Sequence, residues 1–506
     1  MTARLSLHDA PAVAIPGEPL ELHPDRYFDA EPSVRRVARL LYDETRALPL
    51  VSPHGHVDPR LLAEDAPFPE PTALLVTPDH YLLRMLYSRG VPLEALGIAP
   101  RAGAAADGPP AAADPRAVWR LFAAHWHLFR GTPSRAWLEY ELHELFGVRV
   151  RPSAATADRV YDQVAERLRS PEFRPRALFE RFGLEVLATT DAAGDDLRHH
   201  RALRASGWAG GRRVVPTFRP DALFRIAAPG WGGALAGLEA STGRPLPDHA
   251  AFVGALAERR AYFRALGATA TDHAVLDPYT AALPADVVEA IFGRARRGEA
   301  TADDQRAFEA HMLVEMARMS TEDGLVMQIH PGAFRDHNPR VAERFGPDRG
   351  GDVPVATEYT RNLRALLDAH GSDPRLTLVL FTLDESTYAR ELAPLAGHYP
   401  ALRLGPPWWF HDSIEGMRRF RERVTETAGI YNTTGFVDDT RAFCSIPARH
   451  DLARRVDANW LAGLVARHVV DLGEAREMAR ALAVELAREA YKLGGGGAAW
   501  RRGVSS

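Results

Sequence analysis

Lysine is almost missing from this chain: of 62 Lys and Arg residues in a sequence of 506, only Lys492 is a lysine, leaving 61 arginines. A guanidinium stays protonated and forms neither a Schiff base nor a carbamate, so lysine chemistry has one candidate at most. That candidate lies in EAYKLGGGG, beside a glycine-rich tail, a poor place to build a site. A phosphate-binding GxxxxGK[ST] loop is excluded outright. Cys444 stands alone, which rules out an internal disulfide and any cysteine-rich zinc or iron–sulfur site. No run of 18 apolar residues occurs, and the first thirty residues carry charges and prolines without an apolar h-region. These absences predict a cytoplasmic protein that meets no membrane. A formal net charge of -4 with both signs interspersed gives no case for nucleic acid as a partner.

What the chain has in quantity is apolar material, 46% of its residues, enough for a large core. Short β-branched runs recur between helical stretches, and most end in polar or ionisable residues. Eight are read: Leu48–His56, Leu184–Asp191, Arg213–Asp221, Ala268–His273, Leu325–His330, Leu376–Asp384, Leu402–Phe410 and Gly435–Arg441. Continuous apolar strands alternating with helices imply a parallel sheet, and eight imply an α/β fold of the (β/α)8 TIM-like barrel type. Chemistry is then expected at the carboxyl ends of the strands.

The gap between the first two runs, from 56 to 184, is far longer than one crossover helix needs. It holds helical patterns such as AVWRLFAAHWHLF and AWLEYELHELFG, which predict an inserted helical subdomain over about 60–180. Within it, Arg101–Pro115 is low in complexity and reads as a loop. A further helical stretch, Leu283–Met319, precedes the fifth run. The domain is expected to span 25–492, with 493–506 as a flexible C-terminal tail.

His54-Gly-His56 ends the first run. Residues i and i+2 of a strand share a face, so both imidazoles can reach one metal ion, and the glycine permits close backbone approach. With 20 histidines, about one HxH is expected by chance, so a structural pair in a turn stands as the alternative. His125-Trp-His127 is an internal contrast: in a helical pattern the two rings should point apart and not chelate together. The last run offers Asp438-Asp439-Thr440-Arg441, where Asp439 and Arg441 share a face and Asp438 points the other way; a helix cap or salt bridge is the blander role for such an Asp. His273 and His330 end two intervening runs, and a barrel gathers all four strand ends together. Arg219 and Arg441 can clamp a carboxylate bidentately, with Pro220 fixing the turn after Arg219. Trp408-Trp409-Phe410 can pack on a sugar ring or serve as core aromatics. Tyr81, in Asp79-His80-Tyr81 of the inserted segment, is placed to reach over a barrel mouth or to sit on the surface.

Taken in order, these motifs resemble the uronate isomerases (glucuronate isomerase), an outlying branch of the amidohydrolase superfamily. The resemblance rests on HGH, DHYLLRMLYSRGV (79–91), TTD with DDLRHH (189–200), VVPTFRPD (214–221), TDH (271–273), MQIHPGAFRDHNPR (327–340), FGPDRGGD (345–352), PPWWFHD (406–412) and DDTRAFCSIPARH (438–450). It departs at the Ala/Pro loop near 101–115 and in the spacing after Phe443. It implies that His54, His56 and Asp439 hold one divalent ion, zinc in most of the family, with His330 beside it as ligand or hydrogen-bond partner. It implies that Arg219, Arg441, His80 and Tyr81 contact or act on the substrate, with Trp408 and Asp412 in the WWF-x-D signature. A lysine-bridged binuclear centre is impossible here, since the fourth run ends in Thr271-Asp272-His273.

The implied activity is aldose–ketose isomerisation: D-glucuronate to D-fructuronate and D-galacturonate to D-tagaturonate, in uronate catabolism. Such a reaction needs a base of tuned pKa, stabilisation of an enediolate and an anchor for the remote carboxylate. Asp439 is expected to handle the hydroxyl proton and ring opening, Tyr81, with its pKa lowered by a neighbouring Arg441, the carbon-bound proton, and Arg219 or the ion the developing oxyanion. A metal-assisted hydride shift is the alternative route. The runner-up activity is a mononuclear metal-dependent hydrolase of the same superfamily, with Asp439 activating a metal-bound water; a non-catalytic sugar-acid binder is third. The expected partner is a small-molecule hexuronate, within a homo-oligomer.

Overall fold

Seven of the eight apolar runs fold as strands in a computed structural model that describes residues 17–103, 111–208 and 214–494. The strands are β1 (Leu50–Ser52), β2 (Leu184–Ala188), β3 (Asp191–Ala192), β4 (Val214–Val215), β5 (Phe218–Arg219), β6 (Ala270–Val275), β7 (Val326–Pro331), β8 (Ala333–Phe334), β9 (Val353–Pro354), β10 (Leu378–Leu380) and β11 (Leu402–Leu404). The second and third runs are each interrupted. In the third, Pro216 has no N–H to give to a ladder. A three-stranded sheet has the order β1-β2-β4 and a six-stranded sheet the order β11-β10-β7-β6-β5-β3, every pairing parallel. The small β8–β9 pair is antiparallel. The result is an α/β fold built on parallel sheets whose runs pair with their neighbours in chain order. No helix of the described residues is long and apolar enough to cross a membrane.

The eighth run differs from expectation. Gly435–Arg441 forms no ladder, because its backbone is not extended: Gly435 has φ 73° and Asp439 φ 35°. Single backbone bonds link it to its neighbours: just before it Thr433 makes a parallel bridge with Leu404 and Thr434 N donates to Leu404 O at 2.9 Å, and near its end Thr440 O accepts from His56 N at 2.9 Å. Alternation of apolar residues alone did not register the two consecutive aspartates as a turn.

The chain divides into two compact units. The larger comprises Asp25–Ala66, Pro175–Arg335 and Asp352 onward. One face of its strands, Met327, Ile329, Leu378, Leu380, Leu402 and Leu404, packs on helical Phe252, Phe292, Phe308, Met312 and Met316. Each such side chain contributes about 1.5–3 kcal/mol on leaving water, so this cluster holds sheet and helices together. The opposite face, offset by one residue, carries Asp272, Gln328 and His330. The helical stretch expected over Leu283–Met319 folds as two helices, Ala285–Arg296 and Ala302–Asp323. Gly298 (φ 74°) breaks it, and a capping box of Thr301 with Asp304 starts the second helix. Gly324 (φ 81°) ends that helix and turns the chain directly into β7. At the C-terminus, Leu493 packs on Val186, Ala188 and Val215, and Lys492 Nζ donates to Gly324 O at 2.7 Å. Most of the expected tail (495–506), the middle of the expected loop (104–110) and Arg213 of the third run lie outside the described residues.

The smaller unit comprises Pro67–Arg174 and Asp336–Gly351 with the chain up to Pro24. It is helical, with Pro71–Leu75, His80–Ser88, Pro115–Ala124, Pro133–Tyr140 and Ala157–Leu168, most of them started by an acidic or Thr cap and a proline in the first turn. The His125-Trp-His127 expectation needs correction. The helix stops at Ala124, so the two rings stack at 6.3 Å rather than pointing apart, and His125 Nδ1 is engaged by Leu121 O at 2.8 Å.

Candidate metal centre

β1 ends at Ser52, and the next residues carry the two histidines out of the sheet edge. Gly55 sits where a side chain has no room: a Cβ there would meet Thr440 O at 3.2 Å and Ala188 O at 3.6 Å. The glycine thus lets the loop lie against its neighbours, where Thr190 Oγ1 donates to Gly55 O at 2.8 Å and Thr440 O receives His56 N. With the loop pinned, His56 Nε2 is 3.1 Å and His54 Nε2 3.5 Å from Asp439 Oδ1, and the ring centroids are 5.2 Å apart. Two nitrogens and a carboxylate oxygen bound to a tetrahedral zinc stand about 3.3 Å from one another. The donor atoms of His54, His56 and Asp439 therefore fit one small divalent ion in spacing and in chemistry. The left-handed backbone of Asp439 aims its carboxylate there, while Asp438 turns away and accepts from Ser52 Oγ at 3.0 Å.

A second trio shares His54. His330 Nδ1 is 2.7 Å from Asp272 Oδ1, and the donor atoms of His54, Asp272 and His330 also lie within 4.8 Å of one another. With Nδ1 occupied, His330 Nε2 is left buried and without a hydrogen-bond partner among the described residues. An orphaned imidazole nitrogen in such surroundings is costly unless an ion or ligand engages it. The His330 ring is stacked between His54 (4.6 Å) and Phe381 (3.9 Å), with Trp408 edge-on at 4.9 Å. Arg219 closes the network: its Nε donates to Asp221 Oδ2 at 2.7 Å and its Nη1 lies 3.5 Å from Asp272 Oδ2. Behind the ring of donors, Arg449 is ion-paired with Asp412, both fully buried.

Charge follows burial and partners. Burial lowers the His54 imidazole to about 3, so it stays neutral, as a metal ligand must. For Asp439 burial favours the acid, but His54 and His56 outweigh it and hold the carboxylate well below the usual range. Asp272 is held down in the same sense, burial being overcome by Arg219 and His330. Burial opposes charge on Arg219 as well, yet Asp272 and Asp221 raise its pKa. Asp412 goes the other way: burial pushes it up to about 6 against the pull of Arg449. The site thus holds ionised Asp439 and Asp272, a permanent cation and a neutral His54.

Of the residues expected from sequence, His54, His56, Asp439, His330, Arg219 and Trp408 lie in this one network of the larger unit. Arg441 is exposed, in contrast to the half-buried Asp439 two residues before it. His273 is not part of it: its ring faces Phe224 and its Nε2 is 3.1 Å from Thr271 Oγ1. The strand alternation that turns His273 into the helical core turns Asp272 inward, so Asp272 is the donor the sequence reading missed. Pairing TDH with the following QIH run, both of period two, is the signal that would have found it. His80 and Tyr81 belong to the smaller unit, at the start of the helix His80–Ser88. There Asp79 Oδ1 accepts from Tyr81 N at 2.8 Å, the two rings stack at 4.4 Å, and Tyr81 meets Trp137 edge-on at 5.8 Å.

The sequence profile described as Glucuronate isomerase matches residues 32–489. The chain belongs to the glucuronate isomerase family. A uronate isomerase of Rhizorhabdus wittichii is 56% identical over 475 residues, 94% of this chain and 99% of that one. The crystal structure of a glucuronate isomerase from Caulobacter crescentus superposes with a TM-score of 0.91 at 49% identity, covering 95% of this chain and 99% of the other. A Lactobacillus casei protein described as a metal-dependent hydrolase shares the fold alone, at TM-score 0.52 and 15% identity over 92% of this chain and 99% of its own. The enzyme is accordingly a uronate isomerase.

Proposed function

We propose that the chain interconverts D-glucuronate with D-fructuronate, and D-galacturonate with D-tagaturonate, by proton transfer between carbons 1 and 2 of the open-chain sugar through a cis-enediol. The observation that carries this reading is the joining of the His54–His56–Asp439 donor set to the Arg219–Asp272–His330 network in a member of this family. Ionised Asp439 takes the hydroxyl proton that must move during ring opening, and the permanent charge of Arg219 steadies the oxyanion of the enediolate. His330, oriented by Asp272, offers its free Nε2 to the same region. Arg441 is the proposed clamp for the remote uronate carboxylate, with Arg219 contacting the sugar at its reacting end and Trp408 as an apolar wall. His80 and Tyr81, with Tyr81 moving the carbon-bound proton, rest on the resemblance alone.

The donor set suits zinc, whose role when bound is to polarise oxygen atoms of the sugar as a Lewis acid. The same reading takes the parallel strands as a (β/α)8 barrel. Its support is the pairing of seven runs in chain order, with Thr433–Thr440 bonded to Leu404 on one side and to His56 on the other. A cytoplasmic homo-oligomer is carried over from the sequence on the resemblance.

The test is isomerisation of glucuronate and galacturonate in deuterated water. Deuterium entering the carbon-bound positions 1 or 2 during turnover agrees with the enediol route. Complete absence of label with isomerisation intact sinks it and favours the hydride shift.

A further inference from the structure

One polar chain beside the donor ring has no part in the chemistry above. Gln328 is fully buried on β7, paired in register with Asp272 of β6, so its carboxamide lies on the same face as Asp272 and His330. Its Nε2 faces Thr271 O at 3.3 Å and His54 Nδ1 at 3.4 Å, and its Oε1 accepts a hydrogen bond from Tyr491 Oη at 2.7 Å. Tyr491 is itself fully buried, although it comes from the glycine-flanked end of the chain. That end is held in place on both sides of the ring: Lys492, at φ 53°, turns the backbone and bonds to Gly324 O, and Leu493 packs on Val186, Ala188 and Val215.

We propose that Tyr491 and Gln328 are positioning residues for His54: the hydroxyl fixes the carboxamide, the carboxamide fixes the imidazole, and the affinity for the divalent ion depends on both. A metal-bound imidazole needs its second ring nitrogen engaged, since that contact sets the ring's orientation and which nitrogen faces the ion. For His54 the group at that nitrogen is Gln328. Packing alone does not account for the choice, because a buried carboxamide and phenol cost free energy that apolar residues of the same size would not. A carboxamide also serves either form of the ring. Metal at His54 Nε2 requires the proton on Nδ1, so the carboxamide then turns its Oε1 to Nδ1 and its Nε2 to Tyr491 Oη, which accepts, and gives up its contact with Thr271 O.

The inference rests on the metal-centre reading, and the experiment separates the two. Zinc affinity of the full-length chain is measured by competition with a chromophoric chelator for wild type, Gln328→Met, Tyr491→Phe, the double variant and Leu493→Ala. The cobalt(II) visible spectrum of each is recorded as a second readout. Removal of an outer-shell partner costs about 10–100-fold in metal affinity, and this is the loss expected for Gln328→Met, with a smaller loss for Tyr491→Phe. The double variant is expected to match Gln328→Met, because Tyr491 acts only through Gln328. Leu493→Ala, which loosens the same tail without touching the relay, is expected to keep wild-type affinity and an unshifted cobalt spectrum. If Gln328→Met does not fold, Tyr491→Phe against Leu493→Ala makes the same comparison. Wild-type affinity in both relay variants, strictly additive losses, or an equal loss in Leu493→Ala overturns the relay. A wild-type chain that takes up no zinc overturns the metal-centre reading and the relay with it.

Discussion

His330 gives its Nδ1 to Asp272 Oδ1 at 2.7 Å, and this single bond decides what the rest of the ring can do. It fixes the imidazole between His54 and Phe381 and leaves Nε2 buried without a hydrogen-bond partner among the described residues. Asp272 in turn shares its second oxygen with Arg219, so a change at Asp272 reaches both the imidazole and the guanidinium.

Asp272→Asn keeps the shape but removes the charge that orients His330 and balances Arg219. We expect about a 10–100-fold loss in kcat/KM, the usual consequence of losing a partner behind a metal site. The loss should fall mainly on kcat, with the melting temperature little changed. Steady-state kinetics against glucuronate check it; wild-type kcat contradicts the role.

Gly55→Ala places a methyl group 3.2 Å from Thr440 O and 3.6 Å from Ala188 O, both backbone atoms that cannot swing aside. Overpacking of this kind costs about 1–3 kcal/mol. Because the loop carries both histidines, the variant should also hold metal less tightly. Urea denaturation and metal content together test this, and an unchanged pair of values contradicts the close approach.

Asp191 tests the electrostatics away from the donor set. Burial pushes its carboxyl up to about 7, against the hydrogen bond it accepts from Thr189 Oγ1 at 2.7 Å. A carboxyl raised on folding binds more protons folded than unfolded, so its contribution is present at low pH and is lost as pH rises from about 4 to 7. Nearby His200, lowered to about 4 by burial, acts in the opposite sense between about 4 and 6.5. The informative quantity is therefore a difference: wild-type stability minus that of Asp191→Asn should fall as pH rises through 4–7. Urea titrations at several pH values measure it. A difference that is flat or rising contradicts the assignment.

Tyr81→Phe removes only a hydroxyl from a ring already stacked on His80 and set against Trp137. Folding should be preserved. If Tyr81 moves the carbon-bound proton, turnover and solvent deuterium incorporation are lost together, whereas persistence of both assigns that proton elsewhere.

Most of the donor set was legible in the sequence because its residues end apolar runs: His54 and His56 two apart, Asp439 in the last run, His330 in the fifth. Asp272 was not, since Asp272 and His273 both end the fourth run and only the pairing with β7 shows which faces inward. The eighth strand was overread because Gly435 and Asp439 set a left-handed backbone that hydrophobic alternation does not encode. Tyr491 was hidden by its neighbours: it stands just before a glycine run, yet Lys492 bonds to Gly324 O, more than 160 residues earlier, and Leu493 packs on Val186, Ala188 and Val215. The shortage of lysine kept its meaning, for the one lysine is tied to a backbone carbonyl and the donor ring is built from His and Asp.

The central claim is one divalent ion held by His54, His56 and Asp439 in a uronate isomerase. It is tested most directly by metal content measured on wild type and Asp439→Asn, with glucuronate isomerisation assayed on the same samples. The account predicts one ion per chain and turnover in the wild type, and loss of both in the variant. Near-normal turnover in Asp439→Asn would contradict it.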